Sequence, residues 1–278
     1  MEKARLEQYL NKESSQINGW FFPADIISFW LLDVVQKSLG ITGDICEVGV
    51  FEGKSLVLLS HFLTESEYAH GFDLFPGDML DKARDNLKQY GESQSRTDFV
   101  VGDTANISAT ELDERFSRSL RILHIDAGHE YHEVYQQLIM FSPYVSEYGI
   151  IIMDDYQDRE FPGIEAAVLD FCEIDRPRRF VPFFAGGNKM YLCQATMASI
   201  LQQKMLKSRI LTGKYRYSIV RDFGILIGFS KLPSSDEYCL NAISKYDYPK
   251  KFSSAFNEDI LKSNASKYGQ VNFGMEKR

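Results

Sequence analysis

Residues 121–155 read RILHIDAGHEYHEVYQQLIMFSPYVSEYGIIIMDD, two apolar runs that each stop at an acid. The first ends at Asp126, the second at Asp154 and Asp155. Between them Val134, Leu138, Ile139 and Phe141 recur at helical spacing, so the connection is a helix that can return the chain parallel to its start. A right-handed crossover then carries the three carboxylates to one edge of a sheet. Ligands of open α/β sheets bind in the crevice outside the carboxyl ends of the strands. The acids are therefore expected to line a site, with His129 in the loop that opens toward it.

Upstream, GDICEVGVFEGKSLVLLSHFL (43–63) reads as strand, glycine loop and helix, with Gly49 and Gly53 at the turn. Glycines there let a ligand's polar end approach amides at a helix amino terminus, which favour an anion or carboxylate. AHGFDLF (69–75) is a second strand ending in Asp73, placed where an acid meets the two hydroxyls of a ribose. The helix of DMLDKARDNLKQYG (78–91) and the strand of RTDFVVGD (96–103) follow, and Asp103 with Thr104 either meets the adenine edge of a nucleoside or caps a helix. Glu47, inside an apolar strand, is a buried carboxylate in need of a donor, either a ligand's amino group or a backbone amide.

Before this unit, MEKARLEQYLNK is a polar helical segment, and Trp20, Phe21 and Phe22 form an aromatic knot that serves as a clasp on the body or a lid over a ligand. A helix from Ala24 to Leu39 flanks the sheet and stops at Gly40. After residue 155, QDREFPGIEAAVLDFCEI (157–174) gives another helix, and RRFVPFFAGGNKMYLCQ (178–194) gives two strands around Gly186-Gly187-Asn188. The core sheet is thus expected to end in an antiparallel pair near residue 195. Beyond it come a helical pattern in MASILQQKMLKSRIL (197–211), a strand pattern in FGILIGF (223–229) and a polar tail.

A net charge of -8 without a basic block argues against a nucleic-acid backbone as partner. The KYRYSIVR run (214–221) reads as a solvated edge. Cys46, Cys172, Cys193 and Cys239 form no CxxC pair, and the first three sit in apolar segments as small hydrophobes. With no signal peptide and no apolar run long enough to span a bilayer, the expected location is cytoplasmic and no membrane partner is expected.

EVGVFEGKS, GFDLF, HIDAGHEY, YGIIIMDDY and PGIEAAVLDF, in this order and spacing over roughly residues 40–195, resemble the class I S-adenosylmethionine-dependent methyltransferases. Within these they are similar to the metal-dependent macrocin- and mycinamicin-type sugar O-methyltransferases. The resemblance implies an α/β Rossmann-like fold with a mostly parallel seven-stranded sheet and an antiparallel C-terminal hairpin. Residues 1–39 would be an arm or lid, 40–195 the cofactor-binding domain, and 196–278 an extension. It implies S-adenosylmethionine held by Glu47, Gly49, Gly53 and Ser55, with Asp73 on the ribose, Asp103 and Thr104 near the adenine, and Asp126 at the methyl end. It also implies Mg2+ or another divalent cation on Asp126, Asp154 and Asp155, with His129 as general base. Hard carboxylate oxygens suit Mg2+ better than zinc. Where some relatives carry a basic Asp two residues after the first ligand, this chain has Gly128, which leaves the role to His129.

A metal chelates neighbouring oxygens, so the acceptor is expected to be a vicinal diol on a sugar or phenol, contacted by Trp20, Phe21, Phe22, Tyr156 and Phe161. His124 and His132 read as structural, and His61 and His70 have no constellation around them. A metal-independent methyltransferase, a nicotinamide-dependent oxidoreductase and a non-catalytic binding subunit are the competing readings. Homo-oligomerisation is left open, with the amino arm and carboxyl tail as interface pieces.

Overall fold

Strands buried on both faces carry near-continuous apolar runs, and β1 (Asp44–Val48), β2 (Ala69–Asp73) and β4 (Leu120–Ile125) do so here. They are joined by β3 (Thr97–Val101) and β5 (Val145–Met153) in a parallel array of order β3-β2-β1-β4-β5. The computed structural model describes residues 1–116, 119–156, 158–174, 177–208, 210–211 and 215–228. Cys239 and the polar tail lie outside the described residues.

The hairpin of β6 (Phe180–Gly186) and β7 (Lys189–Gln194) adds to β5 through β7, antiparallel as expected. The sheet does not end there. β9 (Phe223–Gly228) lies parallel to β6, and β8 (Tyr215–Val220) pairs antiparallel to β9. Nine strands therefore form the sheet among the described residues, where seven were expected. The FGILIGF pattern supplies β9, and the run read as a solvated edge supplies the outermost strand.

Alternation along the strands sorts side chains into two layers. Ile45, Ile122, Ile150 and Ile152 face a core built with α2 (Pro23–Ser38) and α8 (Ala198–Lys207). Cys46, Leu123, Ile151 and Met153 face one built with α6 (Tyr131–Phe141) and α7 (Pro162–Glu173). The same cores take in Leu201, Met205, Leu226 and Ile227 from beyond residue 195. Among the described residues no helix is long and apolar enough to cross a membrane.

The amino segment is less polar in place than in composition. α1 (Lys3–Gln8) and the turn after it bury Leu6, Tyr9 and Leu10 in the α2 core, because these few apolar residues fall on one stripe. The Tyr9 hydroxyl donates to the Lys54 carbonyl and fixes the arm to the start of α3 (Lys54–Ser60).

His70, which had no constellation in sequence, is folded between Asp98 (2.7 Å) and Asp44 (3.8 Å). Burial alone would lower its pKa, but the two carboxylates more than offset that and raise it above 6.5. The protonated ring thus stabilises the fold fully below the unfolded-state value, and this contribution fades as pH climbs through the raised folded value. The stability difference between wild type and His70→Gln, measured by urea unfolding, should be larger near pH 6 than near pH 9. A difference independent of pH would remove the charge from this account.

Candidate active site

The carboxyl ends of β1, β2, β4 and β5 open into a cavity of about 920 Å³, within the range of small-molecule sites. Gly49, Ser55, Asp73, Asp103, Thr104, Asp126, His129, Asp154 and Asp155 all line it. Gly53 stands just behind the wall as the left-handed cap of α3.

Gly49 owes its identity first to the chain itself. At φ +94° it passes the end of β4 so closely that a Cβ would sit 2.0 Å from the Asp126 carbonyl oxygen. The loop beyond it is held by Asp73, whose Oδ2 accepts from the amides of Val50 and Phe51, each at 2.8 Å. Oδ1 accepts from Phe75 at 2.8 Å. Asp73 thus fastens the β1 loop to the end of β2 while facing the cavity. Asp103 caps the turn Thr104–Asn106 through the Ala105 amide at 2.9 Å, the plainer of its two sequence readings, and still lines the wall.

The acids and His129 converge. Ligand atoms of Asp126, His129 and Asp155 lie within 4.8 Å of one another, as do those of His124, Asp126 and Asp154. His129 Nε2 stands 3.2 Å from Asp155 Oδ2, and its ring lies against Phe161 with centroids 4.1 Å apart. Asp155 adopts a left-handed backbone (φ 52°) and accepts from Asn188 Nδ2 at 2.8 Å. Burial and the neighbouring Asp154 carboxylate push both Asp126 and Asp155 above the usual carboxylate range. Carboxylates held that way gain from a cation set between them.

Behind this wall runs a file of charges that sequence reading missed. Glu47 pairs with His124 across β1 and β4, and strand alternation puts both on the α2 side together with Asp154. His124 Nδ1 meets Glu47 Oε1 at 2.7 Å, and Nε2 meets Asp154 Oδ2 at 3.3 Å. Burial opposes a charged ring, yet the two carboxylates raise its pKa to about 9. His124 was read as structural, and its partners give that role content. Glu47, expected on the cofactor, is fully buried with His124 as its donor, and its Oε2 has no hydrogen-bond partner among the described residues.

On the other flank Lys189 Nζ donates to Asp154 Oδ1 at 2.5 Å, with Asp25 of α2 at 3.7 Å. The only sequence signal was a lysine opening the apolar run MYLC, beside a turn that drew the attention. All three aromatics of the knot line the cavity, Phe21 buried against Phe29 and Trp20 and Phe22 exposed. Trp20 faces Phe51 with centroids 6.0 Å apart. Tyr156, expected at the acceptor, is buried in the α6–α7 core instead.

Residues 46–156 match the model of a family described as a methyltransferase domain. No curated protein sequence matches the chain. Among solved structures it is similar to the O-methyltransferase NovP, at 19% identity over 61% of this chain and 80% of that one, with a TM-score of 0.51. The calicheamicin methyltransferase CalS11 gives 17%, 69%, 90% and 0.51 in the same terms. An O-methyltransferase from Bacillus cereus, solved in complex with SAH, gives 15%, 70%, 92% and 0.50. At these identities the structural likeness fixes the fold, which is that of the class I methyltransferases. With the matched segment, the protein is a methyltransferase.

Proposed function

We propose that this methyltransferase moves a methyl group from S-adenosylmethionine to one hydroxyl of a vicinal diol on a sugar or phenolic small molecule, in the manner of the macrocin- and mycinamicin-type enzymes. The observation that carries the reading is the meeting of Asp126, His129 and Asp155 in a cavity that the β1 loop and Asp73 also line. Gly49, Gly53 and Ser55 would take the methionine end, Asp73 the ribose, Asp103 and Thr104 the adenine, and Asp126 the methyl end. Glu47 would act from behind through its unpaired oxygen.

A hard divalent ion would be held among Asp126, Asp154 and Asp155, where burial and the Asp154 charge push Asp126 and Asp155 up and a cation would relieve them. Such an ion would supply positive charge that eases deprotonation of an acceptor hydroxyl. His129, its ring against Phe161 and its Nε2 on Asp155, would take that proton at its other ring nitrogen, and bound S-adenosylmethionine would supply the methyl group and leave as S-adenosylhomocysteine. Trp20 and Phe22 offer apolar faces to the acceptor ring. Residues 1–39 then act as an arm at the mouth, 40–195 as the cofactor domain and 196–278 as an extension, all in the cytoplasm.

The test is methyl transfer from labelled S-adenosylmethionine to catechols and glycosides, in Mg2+ and in EDTA. Methylation of one of two adjacent oxygens, lost in EDTA, is expected. Transfer at full rate in EDTA would refute the metal, and calorimetric binding of NAD but not S-adenosylmethionine would overturn the whole reading.

A further inference from the structure

The acids at the end of β5 are treated unequally by the fold. Asp155 keeps 21% of its side chain exposed and His129 43%, both toward the cavity, whereas Asp154 keeps 5% and Lys189 none. Met153 pairs with Met190 across β5 and β7, so the next residues, Asp154 and Lys189, fall opposite each other on the α2 side. The Lys189 ammonium reaches Asp154 Oδ1, which also accepts the Asp155 amide at 2.7 Å. His124 Nε2 faces Oδ2. Each Asp154 oxygen thus already has a nitrogen beside it, Lys189 Nζ at Oδ1 and His124 Nε2 at Oδ2. Among the described residues Lys189 bonds to neither Asp126 nor Asp155, though its charge reaches both; Asp155 Oδ2 faces His129 and Oδ1 accepts from the Asn188 amide.

We infer that Lys189 is a built-in cation that takes Asp154 out of the metal's coordination shell, leaving Asp126 and Asp155 as the carboxylate ligands. This rests on the proposed metal-dependent reading and narrows it. Lys189 is held in place from several sides, by Asp25, by the Asn188 side-chain carbonyl at 3.1 Å and by the face of Phe21 at 5.5 Å. The geometry makes Asp154 and Lys189 a neutral pair beside the ion, and a positioning device for the β5 end that carries Asp155.

Mn2+ binding, followed by the loss of the free-ion electron paramagnetic resonance signal, separates the possibilities without any turnover. Asp126→Asn and Asp155→Asn should each weaken Mn2+ binding by about a hundredfold or more. The double variant Asp154→Asn with Lys189→Met deletes a neutral pair, and should keep affinity within about threefold of wild type. Lys189→Met alone frees Asp154 and removes a nearby positive charge, so it should tighten binding by about tenfold or more. That single variant leaves buried carboxylates unpaired and can unfold the chain, which makes the double variant decisive. A double variant as weak as Asp155→Asn would overturn the inference while the metal reading stands. Failure of the wild type to bind Mn2+ at all would sink both.

Discussion

His129→Gln should lower kcat by about 10²- to 10⁴-fold, the usual worth of a positioned general base. Glutamine can still donate toward Asp155 and lie along Phe161, so the wall is preserved while the proton acceptor is lost. None of the hydrogen bonds that hold the β1 loop and Asp73, where the cofactor contacts are proposed, involves His129. Calorimetry should therefore find S-adenosylmethionine binding unchanged while rapid-quench transfer collapses. Equal losses in affinity and rate would assign His129 to binding, and no loss in rate would leave the chain without an identified base.

Gly49→Ala is expected to destabilise the protein by about 4 kcal/mol or more, at the extreme of single substitutions. Two costs combine. A side chain in the left-handed region costs roughly 1–2 kcal/mol, and here the added carbon would also stand 2.0 Å from a backbone oxygen and 2.9 Å from the Ala127 nitrogen. The obstruction is main chain, which cannot swing aside as a side-chain tip would. Gly77 supplies the control: its φ is +68° with nothing within 4 Å of an added carbon, so Gly77→Ala should show the conformational cost alone, about 1–2 kcal/mol. Urea unfolding of the two variants reads the contrast directly. Similar values for both would mean the β4 end can shift away from the loop.

The parts of this molecule that sequence disclosed are those whose causes are local. Apolar runs stopping at acids marked β2, β4 and β5, a run entering a glycine loop marked β1, and one crossover length was enough to bring Asp126 and Asp155 together. Asp73 and Asp103 likewise announced themselves at strand ends, although their hydrogen bonds to loop amides depend on how β2 and its neighbours lie side by side. What escaped notice were pairings across the sheet. Lys189 meets Asp154 because an antiparallel strand runs past β5, and Asp25 joins because α2 lands over both. Glu47 invited a search for a ligand's amino group, when its donor was a histidine of the adjacent strand. The seven-strand expectation failed for a similar reason: β9 finds its partner about forty residues back along the chain, a distance no period in the sequence reports.

The seating of β9 beside β6 bears on how far this protein can be trimmed. Cut after residue 195, the chain would keep its acids, its glycine loop and its cavity, yet leave Phe184 and Ala185 without the strand that now accompanies them. A bare sheet margin flanked by buried phenylalanines is a template on which other copies would stack. Among the described residues of the longer chain that margin passes to β8, where Arg216 is exposed and discourages such stacking. The described part of the segment after the hairpin thus forms a selvedge for the sheet, through β9 and β8.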